Sequence, residues 1–287
     1  MSPEDAPEIV RMANRIDLTS LQTAQTFRAL LERGAPKGTE RLVAEAGGAI
    51  VAWAPSGVYA DRSGWLWIGV DPAHRRTGIG RALYDRIEAR LGSLGTERLR
   101  TSANDDAGRA FLLRRGFVRT NVLRLLTLDL VHAELPEPTV DTRPLREVDI
   151  DSIRHLYREG HDDVPSASPR APFTDESFRR EVAEAELVDR DVSSVIVDDG
   201  EVVAFTLVLA NHEDGRAETQ MTVVSRTHRG RGLGLAVKAG SLRRARTAGL
   251  HTMLTANDLG NAPMLAINGK LGFEASVVVE DFEKTLS

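Results

Sequence analysis

Arg229, Gly230, Arg231, Gly232 and Gly234 fall inside the nine-residue stretch RTHRGRGLG (226–234), after the apolar TVV and before LAVKAGSLRRA. A glycine-containing turn that opens a helix brings backbone amides within reach of a phosphate, and the helix dipole favours the anion. An arginine at the entrance adds charge-assisted hydrogen bonds. The same arrangement occurs earlier, as AHRRTGIG at 73–80. Both copies fit R-x-x-G-x-G: Arg75, Gly78 and Gly80, then Arg229, Gly232 and Gly234. Pyrophosphate binding is the chemistry that this pattern serves. Rival phosphate motifs fail on detail. A dinucleotide fingerprint needs a third glycine where Leu83 and Val237 stand, and GKL at 269–271 breaks the Walker pattern.

The elements that must position these turns are legible around them. After RRTGIG, Ile79, Leu83, Ile87 and Leu91 recur at helical spacing, and Gly92 stops the pattern. RLRTSA then reads as a strand, DAGRAFLLRR as a short helix ending at Gly116, and VRTNVLRLLTLDL as closing strands. Upstream lie two helical segments and the strand-like runs RLVAEA, AIVAWAPSGVYA and GWLWIGV, with AGG suited to a hairpin turn. The second half repeats the order. VDTRPL reads as a strand, and VDIDSIRHLYREG and TDESFRREVAEAEL as helices. SSVIVDDGEVVAFTLVLA reads as a hairpin turning at DDG, and ETQMTVV as a strand. LAVKAGSLRRARTAG, TMLTAN, APMLAINGKLG and EASVVVEDF complete a helix–strand–helix–strand series.

The repeat is measurable. Arg75 to Arg229 and Gly78 to Gly232 are both 154 residues, Asn104 to Asn257 is 153, and Phe117 to Phe273 is 156. Near-constant offsets with preserved order indicate an internal duplication. The expected division is a domain over 1–132, a linker over 133–139 in the Pro-rich HAELPEPTVDT stretch, and a domain over 140–287. The first half begins at a helix, so its opening strand is expected to be missing.

Composition narrows the chemistry. The 287 residues include no cysteine, which excludes disulfides, thiolate metal sites and an acyl-cysteine intermediate. The seven histidines are scattered, no H-E-x-x-H appears, and HDD at 161–163 reads as a solvated loop, so no metal is expected. Net charge is −5, which argues against nucleic acid as a partner. The excess of arginine over lysine reads as codon bias. No apolar run suits a membrane span and the acidic start is no secretory signal, so a cytoplasmic protein is expected. A monomer with two related domains is the expected state, with a homodimer as the alternative.

VDPAHRRTGIGRALYDRIEARLGSLG with TSANDDAGRAFLLRRGF resembles the GNAT N-acetyltransferase superfamily, and TVVSRTHRGRGLGLAVKAGSLRRARTAGL with TANDLGNAPMLAINGKLGF resembles it more closely. The layout is similar to tandem two-domain actinobacterial members such as mycothiol synthase. The resemblance implies two α/β (α+β) acyltransferase domains, each a mixed, mostly antiparallel sheet flanked by helices, with acetyl-CoA as co-substrate. It places Val70 and Val224 on the strand that serves the pantetheine arm. It makes Arg75, Arg76, Thr77, Gly78, Ile79 and Gly80, and Arg229, Gly230, Arg231, Gly232, Leu233 and Gly234, the two pyrophosphate loops. It assigns Asn104 and Asn257 to cofactor contact. Asn261 suits the cap of a helix that Pro263 enters in its first turn, and Asn268 follows at helical spacing, facing the cofactor.

The family commonly carries a glutamate fourteen residues before the first glycine of the loop. Glu218 stands there in the second half and Gly64 in the first. The resemblance therefore implies Glu218 as general base and the second half as the catalytic one. Strand alternation places Glu218, Gln220, Thr222 and Val224 on one face unless a bulge intervenes. A tyrosine acid, frequent five residues before the Phe of GF, is replaced by Leu112 and Asn268. The expected reaction is direct attack of a primary amine, small-molecule or peptide, on acetyl-CoA in a ternary complex. A free alkylamine has a pKa near ~10, so a base must take its proton at neutral pH. The early helices and the HDDVPSASPRAPF loop are expected to shape the acceptor pocket. A CoA-binding regulatory or scaffold protein, in which neither half turns over, is the alternative reading.

Overall fold

Two hairpin turns set the first strand pair of each sheet. Gly47, Gly48, Asp199 and Gly200 all hold positive φ (60, 81, 48 and 83°), the left-handed conformation that two-residue hairpin turns demand. AGG and DDG thus turn where their sequence predicts. The computed structural model describes residues 2–17, 20–32, 38–163, 172–258 and 260–286, the side chains of 257 and 258 excepted. It divides into two compact units: unit 1 holds residues 1–123 and 278–287, and unit 2 holds 124–277.

Unit 1 runs α1 (Ala6–Ile16), α2 (Ala24–Glu32), β1 (Glu40–Ala46), β2 (Ala49–Val58), β3 (Gly64–Leu66), β4 (Gly69–Val70), α3 (Ile79–Ser93), β5 (Arg98–Ala103), α4 (Asp106–Leu113) and the start of β6 (Val118–Asp129). GWLWIGV, expected as one strand, is split into β3 and β4. Unit 2 takes the end of β6 and continues through β7 (Arg143–Pro144), α5 (Arg154–Asp163), α6 (Asp175–Phe178), β8 (Ser194–Asp198), β9 (Glu201–Asn211), β10 (Arg216–Val224), α7 (Leu233–Thr247), β11 (Thr252–Asp258), α8 (Ala262–Lys270) and the start of β12 (Glu274–Thr285).

Each sheet is mixed and mostly antiparallel. The order in unit 1 is β1-β2-β3-β5-β12, with β4 paired to β2; only β3 and β5 run parallel along it. In unit 2 the order is β6-β11-β10-β9-β8-β7, with β10 and β11 parallel. Helices cover both faces. In unit 1, α1 and α2 bury Ile9, Met12 and Phe27 against Trp53, while α3 buries Leu83, Tyr84, Ile87 and Leu91 on a second cluster. In unit 2, α5 sets Leu156 and Tyr157 against Phe205, Leu207 and Val223. There α7 packs Ala239, Leu242 and Ala245 on Val208, Ala210 and Ala217.

The compact units do not coincide with contiguous halves. Residues 278–285 form the strand beside β5, paired from Glu280 with Ala103 to Thr285 with Arg98. Phe282 is 1% exposed among Tyr84, Leu91, Leu99 and Phe117. Lys284 Nζ donates to Glu88 at 2.5 Å and to the Tyr84 hydroxyl at 3.2 Å. Reciprocally, Leu126 and Leu128 of β6, and Leu130 just after it, lie in unit 2's core with Leu242 and Met253. Residues 133–138 carry neither helix nor strand, and Arg243 and Arg246 donate to the carbonyls of Leu135 and Ala133. Among the described residues no strand precedes Glu8; a 3₁₀ turn over Pro3–Asp5 leads directly into α1.

Candidate active site

In unit 1 the parallel pairing of β3 with β5 ends at Trp65 and Arg100, and the strands part beyond it. The gap is a cavity of about 800 Å³, walled by Leu66–Val70 on one side and Thr101–Asn104 on the other. Diverging parallel strands leave peptide groups facing the gap, each able to bond a linear ligand. Arg75, Arg76, Thr77, Gly78 and Gly80 close its mouth. Arg76 (φ 67°) and Gly78 (φ 95°) are both left-handed, ahead of α3; alternation of this kind is what lets successive backbone amides converge in an anion-binding nest. Arg75 donates from Nε to the Val70 carbonyl at 3.1 Å and from a terminal nitrogen to Asp105 at 2.8 Å. The Thr77 hydroxyl donates to the His74 carbonyl at 2.7 Å. Ile79 packs against the core. Asn104 lines the cavity and donates to Asp17 at 3.0 Å.

Unit 2 repeats the device. The pairing of β10 with β11 ends at Thr219 and Thr255. The Val224 carbonyl accepts from Arg229 Nε at 3.2 Å, as Val70 does from Arg75. Gly230 and Gly232 hold φ of 78°, so glycine fills the left-handed position that unit 1 gives to Arg76. Arg231 donates to the Thr227 carbonyl at 3.5 Å, and Gly234 follows in the first turn of α7. Leu233 points into the apolar cluster with Ala204, which leaves only its backbone for a ligand. Asn261 caps α8, accepting from the Met264 amide at 3.3 Å with Pro263 in the first turn, as predicted. Asn257 sits at the end of β11, and its side chain lies outside the described residues. So do residues 164–171 of the expected acceptor loop.

Three expectations change. Asn268 is fully buried, and its carbonyl oxygen accepts from Lys238 Nζ at 2.6 Å; it faces the core instead of a cofactor groove. Lys238 is itself buried, which pushes its ammonium down to about 7. HDD is the end of α5 and not a loop. Asp163 bonds both Arg226, at 2.7 Å, and Arg229, at 2.5 Å, and the two guanidinium groups hold its carboxyl at about 2. Finally, Glu218 does not share a face with Thr222 and Val224. The β9 register shifts between Thr219 and Met221, so Gln220 is a bulge. Glu218 opposes Leu209, on the face of Met221 and Val223 that α5 covers, while Thr222 bonds Thr206 on the other face. The same shift changes its counterpart: by strand register Trp65, not Gly64, stands at the Glu218 position in unit 1.

Glu218 is half-buried, and no described residue gives it a hydrogen bond or an ion pair. Burial alone pushes its carboxyl up to about 7. That is the range in which a carboxylate exchanges protons at neutral pH. Sequence spacing did not signal Asp17, Arg81, Phe111, Arg114 or Arg115, which all line the unit 1 cavity. Arg114 and Arg115 left a trace only as the basic pair of FLLRRGF.

The acetyltransferase (GNAT) family pattern matches residues 9–117 and 150–273. The chain belongs to this family. As a GNAT protein with two matched regions it is an acetyl-CoA-dependent N-acetyltransferase. It is 28% identical over 250 residues to the mycothiol acetyltransferase of Amycolatopsis mediterranei, covering 82% of this chain and 81% of that protein. To the mycothiol acetyltransferase of Pseudarthrobacter chlorophenolicus it is 26% identical, covering 74% and 68%. A tandem GNAT protein from the clavulanic acid biosynthesis pathway shares its fold with a TM-score of 0.75 at 21% identity, covering 99% of this chain and 97% of that one. A GCN5-related N-acetyltransferase from Sphaerobacter thermophilus does so with a TM-score of 0.70 at 17% identity, covering 99% and 94%. No described helix of this GNAT protein is long and apolar enough to cross a membrane, and no described group of three or more acidic or histidine residues is placed to hold a metal ion.

Proposed function

We propose that this acetyltransferase moves an acetyl group from acetyl-CoA to a primary amine by direct attack in a ternary complex. Unit 2 carries the chemistry and unit 1 binds CoA. The two ancestral copies are 1–132 and 140–287, joined by 133–139. The observation that carries the reading is Glu218: a half-buried carboxyl without an ion pair, poised near neutral pH, on the β10 face away from the α7 side. In this reading Glu218 takes the proton of the attacking amine, directly or through a water. The amides of 230–234, with Arg229, hold the diphosphate, and the parted ends of β10 and β11 orient the pantetheine arm. Trp65 at the matching place in unit 1 has no group to accept that proton, which supports a binding role there. The relatives' name, mycothiol acetyltransferase, supports a small-molecule acceptor. Acetyl-CoA consumption in the presence of primary amines, aminoglycosides and peptide amino termini tests the assignment.

Two CoA sites per chain are expected, one at each loop. Gly78 and Gly232 have open space where a Cβ would stand, but their φ of 95° and 78° disfavours any L side chain. Gly78→Glu and Gly232→Glu therefore add strain and a negative charge at an anion site without a clash. Calorimetry with acetyl-CoA is expected to find about two sites in the parent chain and one in either variant, with turnover lost only in Gly232→Glu. A parent chain with a single site, untouched by Gly78→Glu, would mean that the first loop no longer binds.

A further inference from the structure

The arginine that opens each phosphate loop is fixed by one carbonyl and one carboxylate, and the carboxylate comes from a different element in each unit. In unit 1, Arg75 donates to the Val70 carbonyl and to Asp105, which also caps α4. In unit 2, Arg229 donates to the Val224 carbonyl at 3.2 Å and to Asp163, the last residue of α5, at 2.5 Å. Asp163 also accepts from Arg226 at 2.7 Å, and the Arg226 amide donates to Glu159, one turn earlier in α5, at 3.3 Å. The end of α5 is thus clamped to the cofactor loop. At the end of α1 the partners differ: Arg15 pairs with Asp71, and Asp17 accepts from Asn104. The clamped helix is also the one that covers the Glu218 face of β10. Only a glycine separates the two elements: a Cβ on Gly160 would stand 2.4 Å from Val223 Cγ2 and 3.0 Å from Met221 Sδ. Leu156 and Tyr157 of α5 are buried with Phe205, Leu207 and Val223. Packing this close transmits a displacement of the helix end to the strand.

We infer that Asp163 is a positioning residue that couples occupancy of the unit 2 cofactor loop to the placement of α5 over Glu218. The inference rests on the reading that this loop takes a diphosphate and that Glu218 serves the amine. A guanidinium has five N–H donors. Arg229 commits Nε to Val224 and one terminal nitrogen to Asp163, which leaves donors on the same group for an anion. The side chains of Arg229 and Asp163 are 49% and 33% exposed, and an ion pair so exposed holds its partners weakly. A diphosphate on the remaining donors orders the guanidinium. The ordered guanidinium then holds Asp163 and the last turn of α5 at a lower entropic cost. The coupling is reciprocal, so an ordered α5 strengthens diphosphate binding. In unit 1 the same ordering passes from Arg75 to Asp105 and α4, and α1 receives none of it through that arginine. One arginine in two copies of a fold thus addresses two different helices.

The test is amide hydrogen exchange of the full chain with and without acetyl-CoA, beside Asp163→Asn and Gly232→Glu. Asparagine keeps the size of the side chain and removes the charge that holds two arginines; thermal melting checks that the variant folds. In the parent chain acetyl-CoA is expected to slow exchange along Arg154–Asp163 roughly 5- to 20-fold, the lower range of coupling between sites. Gly232→Glu is expected to abolish that response. In Asp163→Asn, calorimetry is expected to find the Gly232-dependent site still occupied by acetyl-CoA, while α5 exchanges at one rate with and without it. A general stabilisation by the ligand would persist in Asp163→Asn, so a variant whose α5 still responds overturns the inference. A parent chain whose α5 ignores acetyl-CoA, or exchanges faster with it, also overturns the inference, whether or not the variant folds. Absence of any calorimetric site sensitive to Gly232→Glu overturns the phosphate-loop reading itself and this inference with it.

Discussion

Glu218→Gln is expected to lower kcat by about 10²–10⁴ at neutral pH, the usual cost of losing a general base. Acetyl-CoA affinity is expected to hold, since the loop and the β10–β11 opening are untouched. Activity of the parent enzyme should rise with pH through about 7, where the carboxyl ionises. The variant should lose that limb and recover partly at high pH, as the amine loses its proton unaided. Stability supplies an independent sign. A glutamate in the unfolded chain titrates near ~4.3, well below its value in the fold. Between the two values the folded state binds a proton that the unfolded state does not, so stability falls as pH rises through that window. Above about 7 the parent chain bears the whole penalty of a buried carboxylate. Glutamine carries none, so the variant should be more stable at pH 8 by about 1–3 kcal/mol. A variant both less active and more stable separates lost chemistry from lost folding. Parental turnover in Glu218→Gln, with activity abolished by Gly78→Glu, would move catalysis to unit 1.

Phe282→Ala is expected to cost about 3–5 kcal/mol, the range for truncating a buried aromatic. The ring lies near the end of the chain, yet it is buried among Tyr84, Leu91, Leu99 and Phe117. Domain stabilities are about 5–15 kcal/mol, so one truncation removes a large share of unit 1's margin. Calorimetric melting should show the transition that acetyl-CoA binding at the first loop protects falling well below its parental position. The Gly232-dependent site should persist at 25 °C. A single melting transition shifted by less than a few degrees would show that residues 278–285 are dispensable to unit 1.

The sequence was most legible where chemistry is local. Left-handed turns at Gly78, Gly230 and Gly232 are encoded in the residues themselves, because glycine carries no Cβ to be strained. The cap by Asn261, the hairpins at AGG and DDG, and the strand–loop–helix order followed for the same reason. What escaped was set by partners distant in sequence. EASVVVEDF declares itself a strand, but alternation records which face is apolar and says nothing of which sheet accepts it. The face of Glu218 turned on Gln220, a single bulged residue with no compositional mark. Asn268 kept helical spacing from Asn261 and pointed inward, because a buried lysine thirty residues earlier needed an acceptor. Asp17 joined the unit 1 cavity through Asn104, a contact across 87 positions that no local pattern announces.

The crossing of the last strand also fixes the order in which the chain can mature. Helices and strands up to residue 123 leave the ribosome first, yet the strand that flanks β5 is made only after all of unit 2. At about 5–20 residues per second, roughly 150 residues of synthesis separate the two, a wait of about 10–30 s. During that wait the edge of β5 and the apolar surface around Leu99 and Phe117 lack their cover. The first of the two units to be synthesised is therefore the last whose sheet can be completed.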